Sequence, residues 1–258
     1  MRWPIMRIVQ ISDSHIALGG PADDERMAAL AACVDHINQM EEAPDLVVHT
    51  GDVVHNGTET EYAMARDHLS RLKAPLKIIP GNKDRRAELV AAFPDMCSQM
   101  PGQAFVQYVV DLDELRLVFL DTVSETSNKG SLCETRFAHL DEALSQAPKP
   151  VLLFMHHPTF EVTTAPEPYQ FEERADAARL AEVLQGHPPL VGILAGHMHR
   201  HFETEWSGVP ALTMTAGAID LRKGSELGAL QSLPYYCVHD ITGAGGLVTS
   251  LVAAAPQG

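Results

Sequence analysis

Short apolar runs alternate with amphipathic segments along the first part of the chain. Residues 23–41 repeat their hydrophobic positions at steps of three and four, which predicts an amphipathic helix. A second helix is predicted to begin at Thr58, because Glu61 completes a capping box with it. The apolar runs are rich in Val, Ile and Leu and are typical of buried strands. Three such runs lie at residues 7–12, 45–50 and 76–79.

The pattern changes after residue 93. Two β-prone runs at residues 105–112 and 115–121 flank the polar pair Asp113-Glu114 and predict a hairpin. The mixture of patterns predicts an α/β fold in which two packed sheets are flanked by helices. Further helices are predicted at residues 85–93, 136–144 and 172–185. Further strands are predicted at residues 151–155 and 190–195, with short strands over about 202–252.

The length favours a single domain that spans residues 1–258. A chain of this length, with 45% hydrophobic residues, can bury a substantial core. No internal repeat or low-complexity linker divides it. We therefore expect one compact domain.

The charge limits the partners that the protein can bind. The formal net charge is −15, and no run of Lys or Arg is present. Because a nucleic-acid binder needs a cationic surface to release counterions from phosphates, a long nucleic acid is disfavoured. Bound metal ions would cancel part of the charge locally, so a small anionic substrate stays compatible with it. The sequence also allows a homo-oligomer.

The location is expected to be cytoplasmic, without membrane attachment. Residues 1–5 are too short and too polar for a signal peptide, and no apolar stretch reaches the roughly 20 residues that span a bilayer. The cysteines are widely spaced and form no paired motif, which is typical of reduced thiols. They are Cys33, Cys97, Cys133 and Cys237.

Five short polar segments each follow a predicted strand. Taken singly, each has an ordinary interpretation: a His at a strand end usually has a structural role, and a Gly-Asn pair is usually a turn. Together they gather carboxylate, amide and imidazole groups at strand ends, which meet at a shared crevice in open α/β sheets. The segments are Asp13-Ser14-His15, Gly51-Asp52, Gly81-Asn82-Lys83-Asp84, His156-His157-Pro158 and Gly196-His197-Met198-His199.

These donors predict a site for two metal ions. Oxygen and imidazole ligands without thiolates suit Mn, Fe, Zn or Co. The donors outnumber the ligands that one ion needs, so two divalent or trivalent ions bridged by a carboxylate are expected.

The five segments resemble the signature of the calcineurin-like metallophosphoesterases. Their order and spacing are similar to those of bacterial class III cyclic nucleotide phosphodiesterases and glycerophosphodiesterases. The resemblance implies a four-layer α/β/β/α sandwich and hydrolysis of a small phosphodiester by a metal-activated hydroxide. It implies that Asp13, His15 and His199 hold one metal, that Asn82, His156 and His197 hold the other, and that Asp52 bridges both. It also implies catalytic roles for Asp52, Asn82, Lys83 and His156.

Lys83 departs from this signature, which has His at that position. We expect its ammonium to clamp the substrate phosphate rather than to donate a proton, because an ordinary lysine pKa is about 10.4. The alternative is that Lys83 points to solvent and pairs with Asp84.

Other residues are weaker candidates for substrate contact. They are His157, which neighbours the matched ligand His156; His55, which could instead be a loop residue; and Arg200, which could instead begin a strand. Arg222 and Lys223 are candidates for steering phosphate, although solvation at the surface is the simpler interpretation. The Pro-rich segment at residues 159–169 is expected to form a lip over the site.

Several functions remain open at this level. The same chemistry could act on a phosphomonoester or a nucleotide pyrophosphate, and a non-catalytic interaction scaffold is an alternative of another class. The scaffold is disfavoured because every ligand position carries a competent donor. The sequence leaves the metals, the substrate and the oligomeric state open.

Overall fold

A computed structural model describes residues 6–147, 149–187, 190–224, 228, 231–242 and 245–255 of the chain. Residues 1–5, on which part of the localisation argument rests, lie outside the described residues, as do the last residues of the expected domain 1–258.

Helices and strands alternate along the chain in the way that the apolar pattern predicts. The helices are α1 (Asp23–Ile37), α2 (Glu59–Leu69), α3 (Arg86–Ala92), α4 (Glu134–Ser145) and α5 (Arg174–Gln185). The strands of the first half are β1 (Met6–Ile11), β2 (Leu46–His49), β3 (Leu76–Ile78), β4 (Tyr108–Asp111) and β5 (Arg116–Leu120). Those of the second half are β6 (Val151–Met155), β7 (Leu190–Ala195), β8 (Phe202–Trp206), β9 (Val209–Thr213), β10 (Tyr235–Ile241) and β11 (Leu247–Ala253). A short 3-10 helix covers Ile219–Leu221.

The strands form two mixed sheets. The first has the order β11-β10-β1-β2-β3, in which β1, β2 and β3 are parallel and the two C-terminal strands are antiparallel. The second has the order β4-β5-β6-β7-β9-β8, with parallel strands at its centre and an antiparallel strand at each edge. The predicted hairpin is β4 and β5.

The side chains of β5 show how the layers pack. Alternate residues of a strand face opposite sides of its sheet. Leu117 and Phe119 lie in a cluster with residues of the first sheet and of α1, α2 and α3. Val118 and Leu120 lie in a second cluster with residues of α4 and α5. This arrangement confirms the predicted four-layer α/β/β/α sandwich. None of the described helices is long and apolar enough to cross a membrane.

Local chemistry sets the ends of α1 and α2. The capping box is present: the Glu61 amide donates to Thr58 Oγ1 at 3.3 Å, and the Thr58 amide donates to Glu61 Oε2 at 3.2 Å. The expected extension of α1 to residue 41 is wrong, because α1 ends at Ile37. Asn38 follows, and its side chain donates to Arg71 O and accepts from Lys73 N, which ties this point to the connection between α2 and β3.

Candidate metal centre

The polar segments meet where the parallel strands of both sheets end. The amide of Asp13, after β1, donates to Gly51 O at 3.0 Å, and that of Gly196, after β7, donates to His156 O at 3.1 Å. Gln10 Nε2 of the first sheet donates to Ala195 O of the second at 3.1 Å. These bonds bring the segments together at one edge of the sandwich.

The backbone is strained at five of the candidate ligands. Positive φ angles are uncommon for residues other than glycine and cost of the order of 1–3 kcal/mol each. Such strain persists only where the surrounding structure maintains it, and it is found mainly at functional sites. Positive φ angles occur at Asp13 (53°), His15 (46°), Asp52 (53°), His197 (68°) and His199 (54°).

Two glycines let the segments approach one another closely. A Cβ atom at Gly81 would lie 2.3 Å from both Asp52 N and Asp52 Oδ1. A Cβ atom at Gly196 would lie 2.2 Å from Ser12 Oγ and 2.7 Å from Asp13 Oδ2. Any side chain at either position would therefore displace a candidate carboxylate ligand.

A first group of donor atoms combines two carboxylates and two imidazoles. His15 Nε2 and His199 Nε2 lie 3.0 Å apart. Asp13 Oδ1 lies 3.3 Å from His199 Nε2 and 3.9 Å from His15 Nε2. Asp52 Oδ2 lies 3.4 Å from His15 Nε2. All four residues are buried, and their donor atoms could hold one metal ion.

A second group of donor atoms surrounds the Asn82 side chain. Asn82 Oδ1 lies 2.9 Å from His197 Nδ1 and 3.2 Å from His156 Nε2. The Asp52 carboxylate adjoins this group too, because its Oδ2 lies 3.6 Å from His156 Nε2. These donors could hold a second ion, and Asp52 Oδ2 lies between the two groups.

Hydrogen bonds at the opposite ring nitrogens orient the imidazoles. His156 Nδ1 donates to Thr50 O at 2.7 Å, and His199 Nδ1 donates to Leu221 O at 2.8 Å. In the neutral rings, each bond places the proton on Nδ1 and directs Nε2 into its group. For His197 the order is reversed: Nε2 contacts Gln170 Oε1 at 3.0 Å, which leaves Nδ1 for the metal.

The two buried carboxylates require cationic partners. Burial by itself would raise the pKa of Asp13, but the hydrogen bond and charge of His199, with the charges of His156 and His15, hold it well below its usual value. Burial likewise opposes ionisation of Asp52, yet His156 and His15 lower its pKa to about 2. Both groups are therefore ionised while almost fully buried, which is costly without nearby positive charge.

Burial and the two carboxylates shift the pKa values of the histidines in different directions. Burial lowers the pKa of His15 to about 4 and that of His197 well below 6.5, which favours the neutral rings that bind metals. Burial also opposes charge on His156, but Asp52 outweighs it and raises the pKa to about 9. A proton on His156 and a metal ion bound at the same place would each neutralise the negative charge of Asp52.

His157 lies beside the second donor group. Its Nδ1 lies 2.9 Å from Thr122 Oγ1, and its Nε2 donates to Asn128 O at 3.1 Å. Although its ring is close enough to His156 and His197 to complete a group of three donors, both of its nitrogens are engaged elsewhere. The contacts agree with the choice of His156 as the ligand.

A cleft of about 500 Å³ opens above the donor groups, and Lys83 lines it. Lys83 is half-buried, and within the described residues its ammonium forms no ion pair with Asp84. Asp84 instead accepts hydrogen bonds from Val53 N and Gly81 N, which fold its loop around Asp52. The predicted lip is also in place, since Ala165, Pro166 and Glu167 line the same cleft.

The other candidates for substrate contact differ in whether they line the cleft. His55 Nδ1 lies 3.3 Å from His15 Nδ1, so it contacts a candidate ligand from behind. Arg200 is buried, donates to Thr164 O and does not line the cleft. Arg222 donates to backbone carbonyls, among them Ala216 O, whereas its neighbour Lys223 does line the cleft.

The structure adds residues that the sequence analysis did not single out. Gln170 orients His197 and is itself fixed by donating to Glu167 O at 2.6 Å. Arg26 donates to His15 O at 3.1 Å and forms a bidentate ion pair with Asp220. Gln170 directly follows the predicted lip and could have been included with it. Arg26 and Asp220 lie 194 positions apart in the sequence, so no local pattern predicts their ion pair.

Comparisons with known proteins agree with this geometry. A family model described as calcineurin-like phosphoesterase matches residues 6–201. A probable glycerophosphodiester phosphodiesterase of Arcobacter nitrofigilis is 31% identical over 252 residues, which cover 95% of this chain and 92% of that protein. A probable cyclic nucleotide phosphodiesterase of Rhodopseudomonas palustris is 34% identical over 224 residues, covering 80% of this chain and 76% of that protein.

A solved structure shares the fold. GAP50, the anchor in the inner membrane complex of Plasmodium, superposes with a TM-score of 0.67 at 14% identity. The match covers 98% of this chain and 85% of that chain. At this identity the likeness concerns the architecture alone.

Proposed function

The chain belongs to the calcineurin-like phosphoesterase family, and on that premise we propose that it hydrolyses a small phosphodiester with two bound transition-metal ions. The family membership confirms the resemblance inferred from the five motifs. The reaction and its substrate class are inferred from the donor geometry, the cleft and the named activities of the relatives.

The position of Asp52 Oδ2 is the observation that carries the proposal. This atom lies 3.4 Å from His15 Nε2 and 3.6 Å from His156 Nε2, which belong to different donor groups. One oxygen within reach of both groups is what a carboxylate bridging two ions requires. Its partner atom, Oδ1, accepts from Lys83 N at 2.7 Å, which fixes the carboxylate plane.

The ligands are assigned from the two donor groups. Asp13, His15 and His199 would hold the first ion, Asn82, His156 and His197 would hold the second, and Asp52 would contribute to both. This mixture of oxygen and imidazole donors suits Mn, Fe, Zn or Co. When bound, such ions supply charge that stabilises the phosphate in the transition state and lower the pKa of a coordinated water.

The protein positions the substrate against this centre. The cleft of about 500 Å³ has room for a small phosphate ester. Lys83 lies in the lining of this cleft, next to the candidate ligand Asn82, where a lysine could reach a bound phosphate. We propose that Asn82, Asp52 and His156 act in catalysis by holding the reacting groups in place, and that Lys83 clamps the phosphate.

The named activities of the relatives suggest which phosphodiesters are substrates. One is named as a probable glycerophosphodiester phosphodiesterase and another as a probable cyclic nucleotide phosphodiesterase. A glycerophosphodiester or a 3′,5′-cyclic nucleotide is therefore the substrate class that we propose. The scaffold alternative is disfavoured, because donors are present at every position of both groups.

A substrate panel tests the proposal. Purified protein is reconstituted in turn with Mn, Fe, Zn and Co, and kcat/KM is measured for glycerophosphodiesters, cyclic nucleotides, bis-p-nitrophenyl phosphate and p-nitrophenyl phosphate. We expect the diesters to react at least about tenfold faster than the monoester, with activity lost after chelation. A preference for the monoester, or no hydrolysis with any of the metals, would overturn the proposal.

We also propose that the protein works in the cytoplasm. All four cysteines are free, and three of them are buried. Unpaired thiols are typical of proteins in a reducing compartment. Fractionation of cells that express the tagged protein checks this location.

A further inference from the structure

The lysines of this chain are unevenly distributed. The chain has six lysines, and three of them, Lys83, Lys129 and Lys223, line the cleft above the metal centre. None of the arginines in the described part of the chain lines it. For a chain with a net charge of −15, this is a local concentration of positive charge.

The lysines outside the cleft have acceptors for their ammonium groups. Lys73 Nζ donates to Asn38 O at 3.3 Å, Lys77 Nζ donates to Asp95 O at 2.9 Å, and Lys149 Nζ donates to Leu112 O. Among the described residues, no hydrogen bond or ion pair engages the ammonium of Lys83, Lys129 or Lys223. The three cleft lysines are therefore available to a ligand.

The three lysines come from separate loops that surround the donor groups. Lys83 directly follows Asn82, and Asn82 Nδ2 contacts Asn128 Oδ1 at 3.4 Å, which brings the loop of Lys129 to the same side. Lys223 lies at the other side, where its amide donates to His199 O at 3.0 Å. A ligand on the metal centre would thus have ammonium groups on both sides of it.

This charge exceeds what a simple diester needs. The phosphate of an ordinary diester carries one negative charge, which lies against the two ions. Ammonium groups farther along the cleft would then face neutral parts of such a substrate. Glu167, which is exposed at the rim, is the acidic residue of the lining that lies outside the donor groups, and one carboxylate does not balance three lysines.

We propose that the cleft selects phosphodiesters that carry a second anionic group, such as a further phosphate or a carboxylate. Lys129 and Lys223 attract this group from the two sides of the cleft, while Lys83 contacts the phosphate that is cleaved. The inference rests on the proposed diesterase function and adds to it the charge of the preferred substrate: within the proposed class it favours glycerophosphodiesters with an anionic head group over 3′,5′-cyclic nucleotides, whose only charge is on the phosphate that is cleaved. Lys129 is partly exposed and Lys223 is exposed, so salt screens their attraction for an anion and the preference must weaken as ionic strength rises.

A pair of matched substrates tests the inference. Thymidine 5′-(p-nitrophenyl phosphate) and the same ester with an added 3′-phosphate have the same scissile bond and the same leaving group. The wild-type holoenzyme is expected to prefer the 3′-phosphorylated ester by at least about tenfold in kcat/KM at low salt. Lys129→Met or Lys223→Met should reduce that ratio about three- to fivefold, and the double variant should bring it close to 1.

Lys73→Met is the matched control, because its ammonium contacts Asn38 O away from the cleft. It should keep the wild-type ratio, and 0.5 M salt should compress the ratio of the wild type. A wild-type ratio of 1 or below, or a ratio that the double variant leaves unchanged, overturns the inference. If neither ester is hydrolysed by the metal-loaded enzyme, the proposed function itself fails, which is a distinct result.

Discussion

At the scale of single residues, hydrogen bonds behind the candidate ligands determine the geometry of the candidate metal centre. His156 and His199 each donate from Nδ1 to a backbone carbonyl, whereas His197 uses Nε2 for Gln170. These bonds determine which nitrogen of each ring is free for a metal. The strained backbone at Asp13 and Asp52 adds a second constraint, since it directs both carboxylates inward.

Substitution of the adjacent histidines should separate a ligand from its neighbour. We expect His157→Ala to keep two ions per chain, because both ring nitrogens of His157 contact Thr122 and Asn128 rather than the donor groups. His156→Ala should lose at least one ion. Elemental analysis of both purified variants measures this difference. Loss of metal from the His157 variant alone would reverse the assignment.

Lys83 should affect substrates according to their leaving groups. Moving a lysine pKa from about 10.4 to 7 takes roughly 4.6 kcal/mol, so a clamp on the phosphate is a less demanding role than a proton donor. Lys83→Met should lower kcat/KM about tenfold or more for aryl and alkyl diesters alike. Lys83→His should accelerate alkyl diesters more than aryl diesters, because an imidazole can protonate a poor leaving group. If Lys83→Met equals the wild type on every diester, the clamp is excluded.

The sequence revealed the donor residues but not their supporting contacts. The donors follow apolar strands within short motifs, so a local pattern locates them. Arg26 and Asp220 meet only through the tertiary fold, and each is an ordinary charged residue in its own segment. The same limit applies to Lys129 and Lys223: that no described residue accepts a hydrogen bond from their ammonium groups depends on what the folded chain places around them.

At the scale of elements, α1 and the short 3-10 helix together support the first donor group. Arg26, on α1, donates to His15 O and pairs with Asp220, which lies in the 3-10 helix. The next residue, Leu221, provides the carbonyl that accepts from His199 Nδ1. One arginine thus positions two candidate ligands of the same ion.

Removal of this arginine should weaken one metal site more than the other. We expect Arg26→Met to lower the affinity of the first site for Mn about 10- to 100-fold, as contacts behind metal ligands commonly do. Titration of the variant with Mn by calorimetry should show one weakened site and one normal site. Asp220→Asn should weaken the same site, because it removes the carboxylate that orients the Arg26 guanidinium and leaves that guanidinium without its ion-pair partner.

Arg179→Met is the control for this titration. Its guanidinium forms a bidentate pair with Glu134 at the surface, and neither residue lines the cleft or belongs to a donor group. It should bind two Mn ions as the wild type does. Wild-type binding at both sites in Arg26→Met would show that the arginine does not position the ligands.

The elements themselves were largely predictable, but their pairing was not. The strands and helices follow from apolar periodicity, and the start of α2 follows from its capping box. The end of α1 was predicted too late, because Asn38 is held by Arg71 and Lys73 rather than by a local signal. The pairing of β10 with β1 joins distant parts of the chain, and its register depends on tertiary packing.

At the scale of the whole molecule, a buried polar chain joins the two sheets. Gln10 donates to Ala195 O of the second sheet and accepts from His239 Nε2 at 3.1 Å. His239 Nδ1 lies 2.9 Å from Thr249 Oγ1 on β11. Burial lowers the pKa of His239 to about 3, so the ring stays neutral across most of the acid range.

This histidine should make folding sensitive to acid. Once unfolded, His239 would take up a proton near its ordinary pKa of 6.5, whereas in the folded protein it resists protonation to about pH 3. The unfolded state therefore binds more protons between these values, and stability falls as pH falls through them. From pH 7.5 to pH 5 the loss is about 2 kcal/mol.

Urea unfolding of the wild type and of His239→Gln at both pH values measures this contribution. The variant should be about 1 kcal/mol less stable at pH 7.5, where it lacks a hydrogen bond, but should lose about 2 kcal/mol less on acidification. Metal release in acid affects both proteins, so the difference between them isolates His239. An equal loss in the two proteins would assign the acid sensitivity to other groups.

The central claim is that Asp52 bridges two metal ions, and the metal content of Asp52→Ala tests it most directly. Elemental analysis is applied to the wild type, to this variant and to Asp67→Ala, which removes an exposed carboxylate of α2. We expect two ions per chain in the wild type and in Asp67→Ala, and loss of both ions together with activity in Asp52→Ala. Retention of two ions per chain by Asp52→Ala would contradict the account.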